Sequence, residues 1–263
     1  MAIKPKIIRS PLPNEGIEAT FRRELDALID EMHNSTNYWL IAAYRKTAPI
    51  FAEDASHVFI IQAAMNRLIR RWRKRFDDVA QEMAGKFTHG VKNHSEMTFA
   101  QAAKRAGMTI SPFKMTKPMQ TAYGAAISEQ VGLIKSIPAQ YLTSVQGEVM
   151  RAVQKGGDLG PLAKQLQADY GITKRRAALI ARDQNAKATG ILTRVRQIEI
   201  VGEDGEATWI HSGAGRHPRP DHVAAHGRTY KLSKGCLISG EYILPGELIN
   251  CRCTSAVIIP GSK

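Results

Sequence analysis

Residues 249–259 read INCRCTSAVII, and the architecture of the C-terminal part of the chain follows from this stretch. Its second half, Thr254–Ile259, is rich in β-branched residues and predicts a short strand. Its first half places Cys251 and Cys253 on either side of Arg252, and Pro245-Gly246 predicts a turn shortly before them. We therefore expect a small module in which a turn leads into a cysteine-containing segment and then into a strand.

A histidine-rich stretch precedes this segment. Residues 211–227 read HSGAGRHPRPDHVAAHG and hold four of the eight histidines of the chain. Because histidine and cysteine are the usual ligands of structural zinc, these residues form a candidate tetrahedral site. The candidate ligands are His222, Cys251 and Cys253, with Cys236 or His226 as the fourth. The alternative is that the thiols are simply buried as small side chains. The C-x-C spacing differs from the C-x₂₋₄-C usual for zinc, so we expect no metal and no cofactor.

Catalytic chemistry is not indicated by the same residues. Asp221-His222 resembles the start of an HNH-type nuclease site, which also needs an asparagine and then a histidine. Asn250 could supply the asparagine, but no histidine follows it. The spacing gives no support for a nucleophilic pair of His222 with a cysteine. Walker, G-x-G-x-x-G, H-E-x-x-H and G-x-S-x-G motifs are absent from the sequence, and we expect no enzymatic activity.

The first half of the chain is dominated by helical periodicity. Apolar residues at three- and four-residue spacing predict helices over 14–46 and 54–87. A shorter helix is predicted over 95–107, with a serine at its start and a glycine at its end. Another helical stretch covers 116–155, where Pro138 should cause a break or a kink.

The second half begins at the predicted linker, Gly156-Gly157. A short helix over 159–170 should end at Gly171. Thr173 should then cap a strong helix that continues to about residue 200. A short strand is predicted over 208–211, before the loop-rich stretch that contains the histidines and cysteines.

These elements define the expected fold class and domains. The fold is a mainly α N-terminal domain of long helices followed by a small α+β C-terminal module. The predicted domains are an extended N-terminal arm over 1–13, a helical domain over 14–155 and the α+β module over 156–263. A chain of 263 residues is long enough to bury a core without disulfides, and its three cysteines do not suggest a disulfide framework.

The charge of the chain favours polyanionic partners. There are 37 Lys and Arg residues against 24 Asp and Glu, a net charge of +13. Six cations occur within residues 67–75, where a helix would spread them over roughly 200° of its surface. They are Arg67, Arg70, Arg71, Arg73, Lys74 and Arg75. Two interpretations stay open: a solvated helix face, or a contact surface for DNA phosphates or an acidic protein partner.

The C-terminal motifs occur in a recognisable order. They are Ile180-Ala181-Arg182-Asp183, Trp209, Arg219-Pro220-Asp221-His222, Gly227, Pro245-Gly246 and Ile249-Asn250-Cys251-Arg252-Cys253. This order resembles the phage Mu F-like minor head protein family, also called the head morphogenesis domain, over roughly residues 156–259. The Asn-Cys-Arg-Cys that follows a Pro-Gly turn is its most specific element. Many relatives have Ala-Arg-Thr-Glu where this chain has Ala-Arg-Asp-Gln at 181–184, and relatives with a Cys-Pro-x-Cys-like segment have cysteines at 219 and 222.

The resemblance implies a virion structural protein of a tailed phage or prophage. Such a protein is a minor capsid component inside the head near the portal vertex, and it is in the host cytoplasm during assembly. The implied partners are the portal protein, other capsid or scaffold proteins and packaged double-stranded DNA, without a membrane. The implied structural motif residues are Arg182, Asp183, Trp209, Arg219, His222, Gly227, Asn250, Cys251, Arg252 and Cys253. We expect Arg252 to pair with Asp183 or Asp221. The alternative function is a metal-dependent DNA-processing or DNA-binding enzyme that uses the His/Cys cluster.

Overall fold

The computed structural model describes residues 5–46, 55–111, 116–154, 159–213, 215 and 217–261. The helices are α1 (Glu15–Lys46), α2 (Ala55–Arg105), α3 (Lys117–Gln154), α4 (Leu159–Val201) and α5 (Pro220–Ala224). The strands are β1 (Lys6–Arg9), β2 (Glu206–Ile210), β3 (Thr229–Lys231), β4 (Cys236–Ile238), β5 (Glu241–Ile243) and β6 (Thr254–Ile259). Long helices followed by a small antiparallel sheet module confirm the predicted fold class. The predicted linker Gly156-Gly157 lies outside the described residues.

Helix α2 is one continuous helix of 51 residues, where the sequence predicted two helices over 54–87 and 95–107. The predicted interruption is wrong because the buried face of the helix continues through it. Side chains at four-residue spacing across the predicted gap are buried, namely Phe87, Val91, Ser95 and Phe99. Tertiary packing of one helix face outweighs the weak local propensity of this stretch.

Helix α4 also joins two predicted helices, because neither predicted boundary residue ends it. Gly171 lies within the helix. The Thr173 hydroxyl donates a hydrogen bond of 2.8 Å to the carbonyl of Asp169, four residues earlier. This bond is typical of a threonine inside a helix, whereas a capping threonine accepts from a following N–H. The predicted stop and cap are therefore wrong.

Helix α3 is continuous through Pro138. Of the break or kink predicted there, the break is therefore absent. Proline removes one helical hydrogen bond, but the surrounding turns are anchored by a buried apolar face. Its members near the proline are Ile134, Ile137, Tyr141, Leu142 and Val145. The packing of this face keeps the helix continuous.

The chain forms two compact units built from separated segments. The first unit consists of Met1–Glu18, Gly85–Ser128 and Ala181–Lys263, and the second of Ala19–Ala84 and Glu129–Ile180. The domain bounds predicted from the sequence divide the chain in sequence order instead, and they stay a prediction.

The first unit contains the sheets and the candidate functional residues. Its four-stranded sheet has the order β1-β6-β2-β3, and neighbouring strands are antiparallel. Strand β1 lies in the predicted N-terminal arm and pairs with β6, with Ile8 opposite Val257. Strands β4 and β5 form a separate hairpin. Ser239 and Gly240, which connect them, both have positive φ, as a two-residue hairpin turn requires.

The second unit is helical. Its segments of α1, α2, α3 and α4 bury large apolar side chains that include Leu25, Ile29, Met32, Trp72, Phe76 and Ile137. Helices of this kind are stabilised mainly by burial of one amphipathic face. None of the helices that the structure describes is long and apolar enough to cross a membrane.

Candidate functional site

The first unit brings together His222, Cys251 and Cys253. The Nδ1 atom of His222 lies 3.5 Å from Sγ of Cys251 and 3.7 Å from Sγ of Cys253. All three side chains are buried, and their candidate ligand atoms lie within 4.8 Å of one another. We call these three residues the His/Cys cluster. They are the three principal candidate ligands named from the sequence.

The fourth ligands considered from the sequence are not part of this group. Cys236 begins β4 and is buried among apolar core residues such as Ile238 and Ile243. The Nδ1 atom of His226 accepts a hydrogen bond of 3.1 Å from the backbone N–H of His211. Among the described residues, the cluster therefore contains three candidate ligands.

The pKa values of the two cluster thiols are shifted in opposite directions. The Cys253 thiol donates a hydrogen bond to the Cys251 sulfur and lowers the pKa of Cys251, and the backbone N–H groups of Cys253 and Gly246 act in the same direction. The pKa of Cys253 is raised, first because its thiol is the donor to Cys251 and second because it is buried. A thiolate at Cys251 is thus favoured next to a protonated Cys253.

Trp209 forms one wall of the cluster. Its fully buried ring lies edge-on to the His222 imidazole, with centroids 5.3 Å apart and planes at 85°. The indole N–H makes no hydrogen bond within the described chain. Gly227, which has a φ of 82°, donates a backbone hydrogen bond of 2.9 Å to the carbonyl of Trp209. The left-handed backbone favours glycine at that position.

The Asn-Cys-Arg-Cys segment is fixed by two hydrogen bonds to distant residues. The backbone N–H of Asn250 donates to Oδ1 of Asp183 on α4 at 2.8 Å. The Arg219 guanidinium donates to the carbonyl of Ile249 at 3.0 Å. Asn250 itself has a φ of 61°, a left-handed conformation that asparagine tolerates better than most residues. The chain therefore turns sharply directly before the first cysteine.

The predicted ion pair of Arg252 with Asp183 or Asp221 is wrong. Asp183 accepts from the Asn250 N–H and lies 3.7 Å from Nζ of Lys187. Asp221 accepts from the Ser239 hydroxyl at 3.0 Å, and this bond is the main reason that its pKa is lowered. Both carboxylates have nearer partners, and Arg252 forms no ion pair with either within the described chain.

The turn at Pro245-Gly246 packs directly on α4 at Gly190. A Cβ added to Gly190 would lie 2.6 Å from the carbonyl oxygen of Pro245. A Cβ on Gly246, which has a φ of 84°, would lie 2.9 Å from the carbonyl of Ala186. Sequence reasoning did not select Gly190, although a glycine inside a strongly helical pattern is the signal that indicates such a close approach.

A cleft of about 400 Å³ opens beside the cluster. Its lining includes the three cluster residues, the histidines His211 and His217, and the arginines Arg182, Arg219 and Arg252. Among the described residues that line it, none is a carboxylate. The cleft therefore combines soft metal ligands with positive charge.

The comparison with known families concerns this same region. Residues 143–256 match the family model for Phage Mu protein F like protein. The match confirms the resemblance stated from the sequence. It includes the His/Cys cluster, the Pro-Gly turn and all of α4, and it begins earlier than the predicted domain start, within α3. The Mu F-like region is therefore the part of the chain that holds the site.

A curated relative extends beyond the Mu F-like region. An uncharacterized protein of Haemophilus influenzae is 26% identical over 252 residues, covering 94% of this chain and 54% of the relative. The chain thus spans about half the length of the curated relative that it matches. No solved structure matches the chain significantly.

The cationic cluster lies outside the Mu F-like region, on α2 in the second unit. The six cations from Arg67 to Arg75 are exposed, whereas Leu68, Trp72 and Phe76 between them are buried. Lys74 pairs with Asp78 at 3.1 Å, while the five arginines form no ion pair with a described residue. We call these six cations the α2 basic face. The contact of this face with DNA or protein stays a prediction.

Proposed function

We propose that this protein is a minor head protein that acts in assembly of a tailed phage or prophage head. The match of residues 143–256 to Phage Mu protein F like proteins is the observation that carries the proposal. The arrangement of the Mu F-like region supports a structural role. Asp183 and Arg219 hold the Asn-Cys-Arg-Cys segment and the residue before it in place, and Gly190 allows the preceding Pro245-Gly246 turn to pack on α4.

The charge distribution supports a position inside the head, where the packaged DNA lies. The α2 basic face has five exposed arginines without acidic partners in the described chain. A net charge of +13 makes close packing beside nucleic acid electrostatically favourable. We propose that this face contacts packaged double-stranded DNA or an acidic surface of the portal or scaffold during assembly.

The alternative is a metal-dependent DNA-processing enzyme that uses the His/Cys cluster. Magnesium-dependent nucleases bind their metal through carboxylates and other oxygen ligands. The described lining of the cleft offers nitrogen and sulfur ligands and no carboxylate, so the donor set does not suit a magnesium-dependent nuclease. We therefore favour the structural role.

Cross-linking mass spectrometry on purified procapsids tests the proposal. Lys74 lies within the α2 basic face and provides an amine for the cross-linker. Exposed Lys234 provides a second amine, in the first unit, for comparison with Lys74. We expect this protein in procapsids, with cross-links to head proteins and with defective heads when its gene is deleted. Absence from procapsids together with normal heads in the deletion would overturn the proposal.

A plasmid-nicking assay separates the two functions. The purified protein is incubated with supercoiled DNA and Mg²⁺, Mn²⁺ or Zn²⁺. We expect intact supercoiled DNA at all metal concentrations. Metal-dependent nicking that is lost in His222→Ala would favour the enzyme instead.

A further inference from the structure

We propose that His222, Cys251 and Cys253 bind one zinc ion, whose fourth coordination position faces the cleft. The inference rests on the side-chain arrangement of the first unit and goes beyond the proposed role in head assembly. It also replaces the sequence-based expectation that no metal is bound.

The distances in the cluster fit the edges of a zinc tetrahedron. With Zn–S near 2.3 Å and Zn–N near 2.05 Å, tetrahedral geometry places the nitrogen and sulfur ligands about 3.6 Å apart. The Nδ1 atom of His222 lies 3.5 Å and 3.7 Å from the two sulfurs. An ion at the centre of these three atoms therefore needs little movement of the side chains.

The contacts between His222 and the two sulfurs are not fully satisfied by hydrogen bonds alone. The imidazole is 3% exposed, and its Nδ1 atom lies beside the sulfurs of Cys251 and Cys253. The Nδ1 atom faces two sulfurs at similar distances, but a single N–H can donate to only one of them. A cation satisfies Nδ1 and both sulfurs at once, and buried polar groups in native proteins are nearly always satisfied.

The charges around the sulfurs are compatible with a bound zinc ion. Arg182, Arg219 and Arg252 line the same cleft as the cluster. Two thiolates balance the charge of Zn²⁺, so the bound ion adds no net charge next to these arginines.

The C-x-C spacing, which argued against zinc from the sequence, is compatible with this geometry. In extended backbone, residues two positions apart project to the same side. Cys251 and Cys253 are both buried, while Arg252 between them is partly exposed and lines the cleft. The third ligand comes from α5, so the site does not require the tight knuckle that the usual C-x₂₋₄-C spacing forms.

Metal analysis of the full chain tests the proposal. The protein is purified with a reductant and without a chelator, and its zinc content is measured by inductively coupled plasma mass spectrometry. We expect about one equivalent per chain, lost in the Cys251→Ser/Cys253→Ser variant and retained in Cys236→Ser. Cys236 is the matched control, because it is a buried cysteine of the same unit outside the cluster.

Cobalt substitution provides a readout that does not depend on the stability of a variant. Cobalt(II) added to metal-free wild-type protein should give the thiolate charge-transfer absorption and the intense visible bands of a tetrahedral site. His222→Cys should retain the metal and strengthen the charge-transfer absorption, since it adds a third thiolate. Folded wild-type protein that holds no zinc and develops no cobalt–thiolate absorption would overturn the proposal. Equal zinc in the double serine variant would also overturn it.

Discussion

The carboxylate of Asp183 on α4 accepts the backbone N–H of Asn250 at 2.8 Å, across 67 residues of sequence. This hydrogen bond fixes the residue directly before Cys251, in a left-handed conformation with a φ of 61°. Helix α4 thereby fixes the position in space of the first residue of the Asn-Cys-Arg-Cys segment. The position of the two sulfurs depends on this bond as well as on their own burial.

Replacing Asp183 with alanine should destabilise the first unit. Asp183 is 8% exposed, and a hydrogen bond to a charged group contributes about 1.5–3 kcal/mol to stability. We expect the free energy of unfolding to fall by about 2 kcal/mol in Asp183→Ala and by less in Asp183→Asn, which keeps an acceptor oxygen. Urea denaturation followed by Trp fluorescence measures both. Asp204→Ala is the control, because the Asp204 side chain is 94% exposed; equal losses in Asp204→Ala and Asp183→Ala would contradict the assignment.

Gly190→Ala should also destabilise the first unit, although alanine favours helices. In an exposed helix interior, Gly→Ala stabilises by about 1 kcal/mol. At Gly190 the new Cβ would lie 2.6 Å from the carbonyl oxygen of Pro245, and overpacking of this kind costs about 1–3 kcal/mol. Gly124→Ala on α3 is the control, because nothing lies within 4 Å of its new Cβ. We expect thermal midpoints to move down for Gly190→Ala and up for Gly124→Ala; a rise in both would refute the close approach.

The bounds of individual elements were predictable where the local pattern is strong. The β-branched run Thr254–Ile259 predicted β6 with the bounds that the structure shows. Breaks at Gly171 and around residue 90 were predicted from local signals that tertiary packing overrides. The pairing of β1 with β6 was not predictable. Lys6 lies opposite Ile259 in the sheet, and these residues are near opposite ends of the sequence, so no local pattern indicates that they pair.

The residues of the candidate site were predictable from their chemical type, but the contacts that hold them in place were not. Histidine and cysteine chemistry identified His222, Cys251 and Cys253, and the structure brings these three together. The predicted partner of Asp183 was a side chain, Arg252, whereas the actual partner is the backbone N–H of Asn250. Backbone donors exist at nearly every residue and leave no mark in the sequence, so a contact of this kind emerges only from the fold.

The stability of the chain should decrease as pH rises from 4.5 to about 7 because of Glu96. Burial raises the pKa of Glu96 from 4.5 to about 7, although Arg196 and Lys92 oppose the shift. Between these two values the folded state holds a proton that the unfolded state has lost, so the free energy of unfolding falls as pH rises through that window. Glu96→Gln should remove this part of the pH dependence. Urea titrations below, within and above the window check it, with exposed Glu203→Gln as the control; an unaltered pH profile in Glu96→Gln would contradict the role of Glu96.

Removal of three arginines from the α2 basic face should weaken DNA binding and its salt dependence. Arg70, Arg71 and Arg73 are exposed, and each phosphate contact contributes about 0.9 to the slope of log K against log salt. We expect the slope for double-stranded DNA to fall by up to about 2.7 in the triple alanine variant. Fluorescence anisotropy at several salt concentrations measures it.

The control variant removes equal charge elsewhere. Lys104, Arg105 and Lys117 are exposed cations of α2 and α3 in the first unit, away from residues 67–75 in sequence. If the α2 basic face contacts phosphates directly, the triple alanine variant of these control residues should change the slope much less than the variant at Arg70, Arg71 and Arg73. Equal changes would show that only the net charge matters. An unchanged slope in the variant at Arg70, Arg71 and Arg73 would exclude DNA as the partner and leave either an acidic protein partner or a solvated helix face.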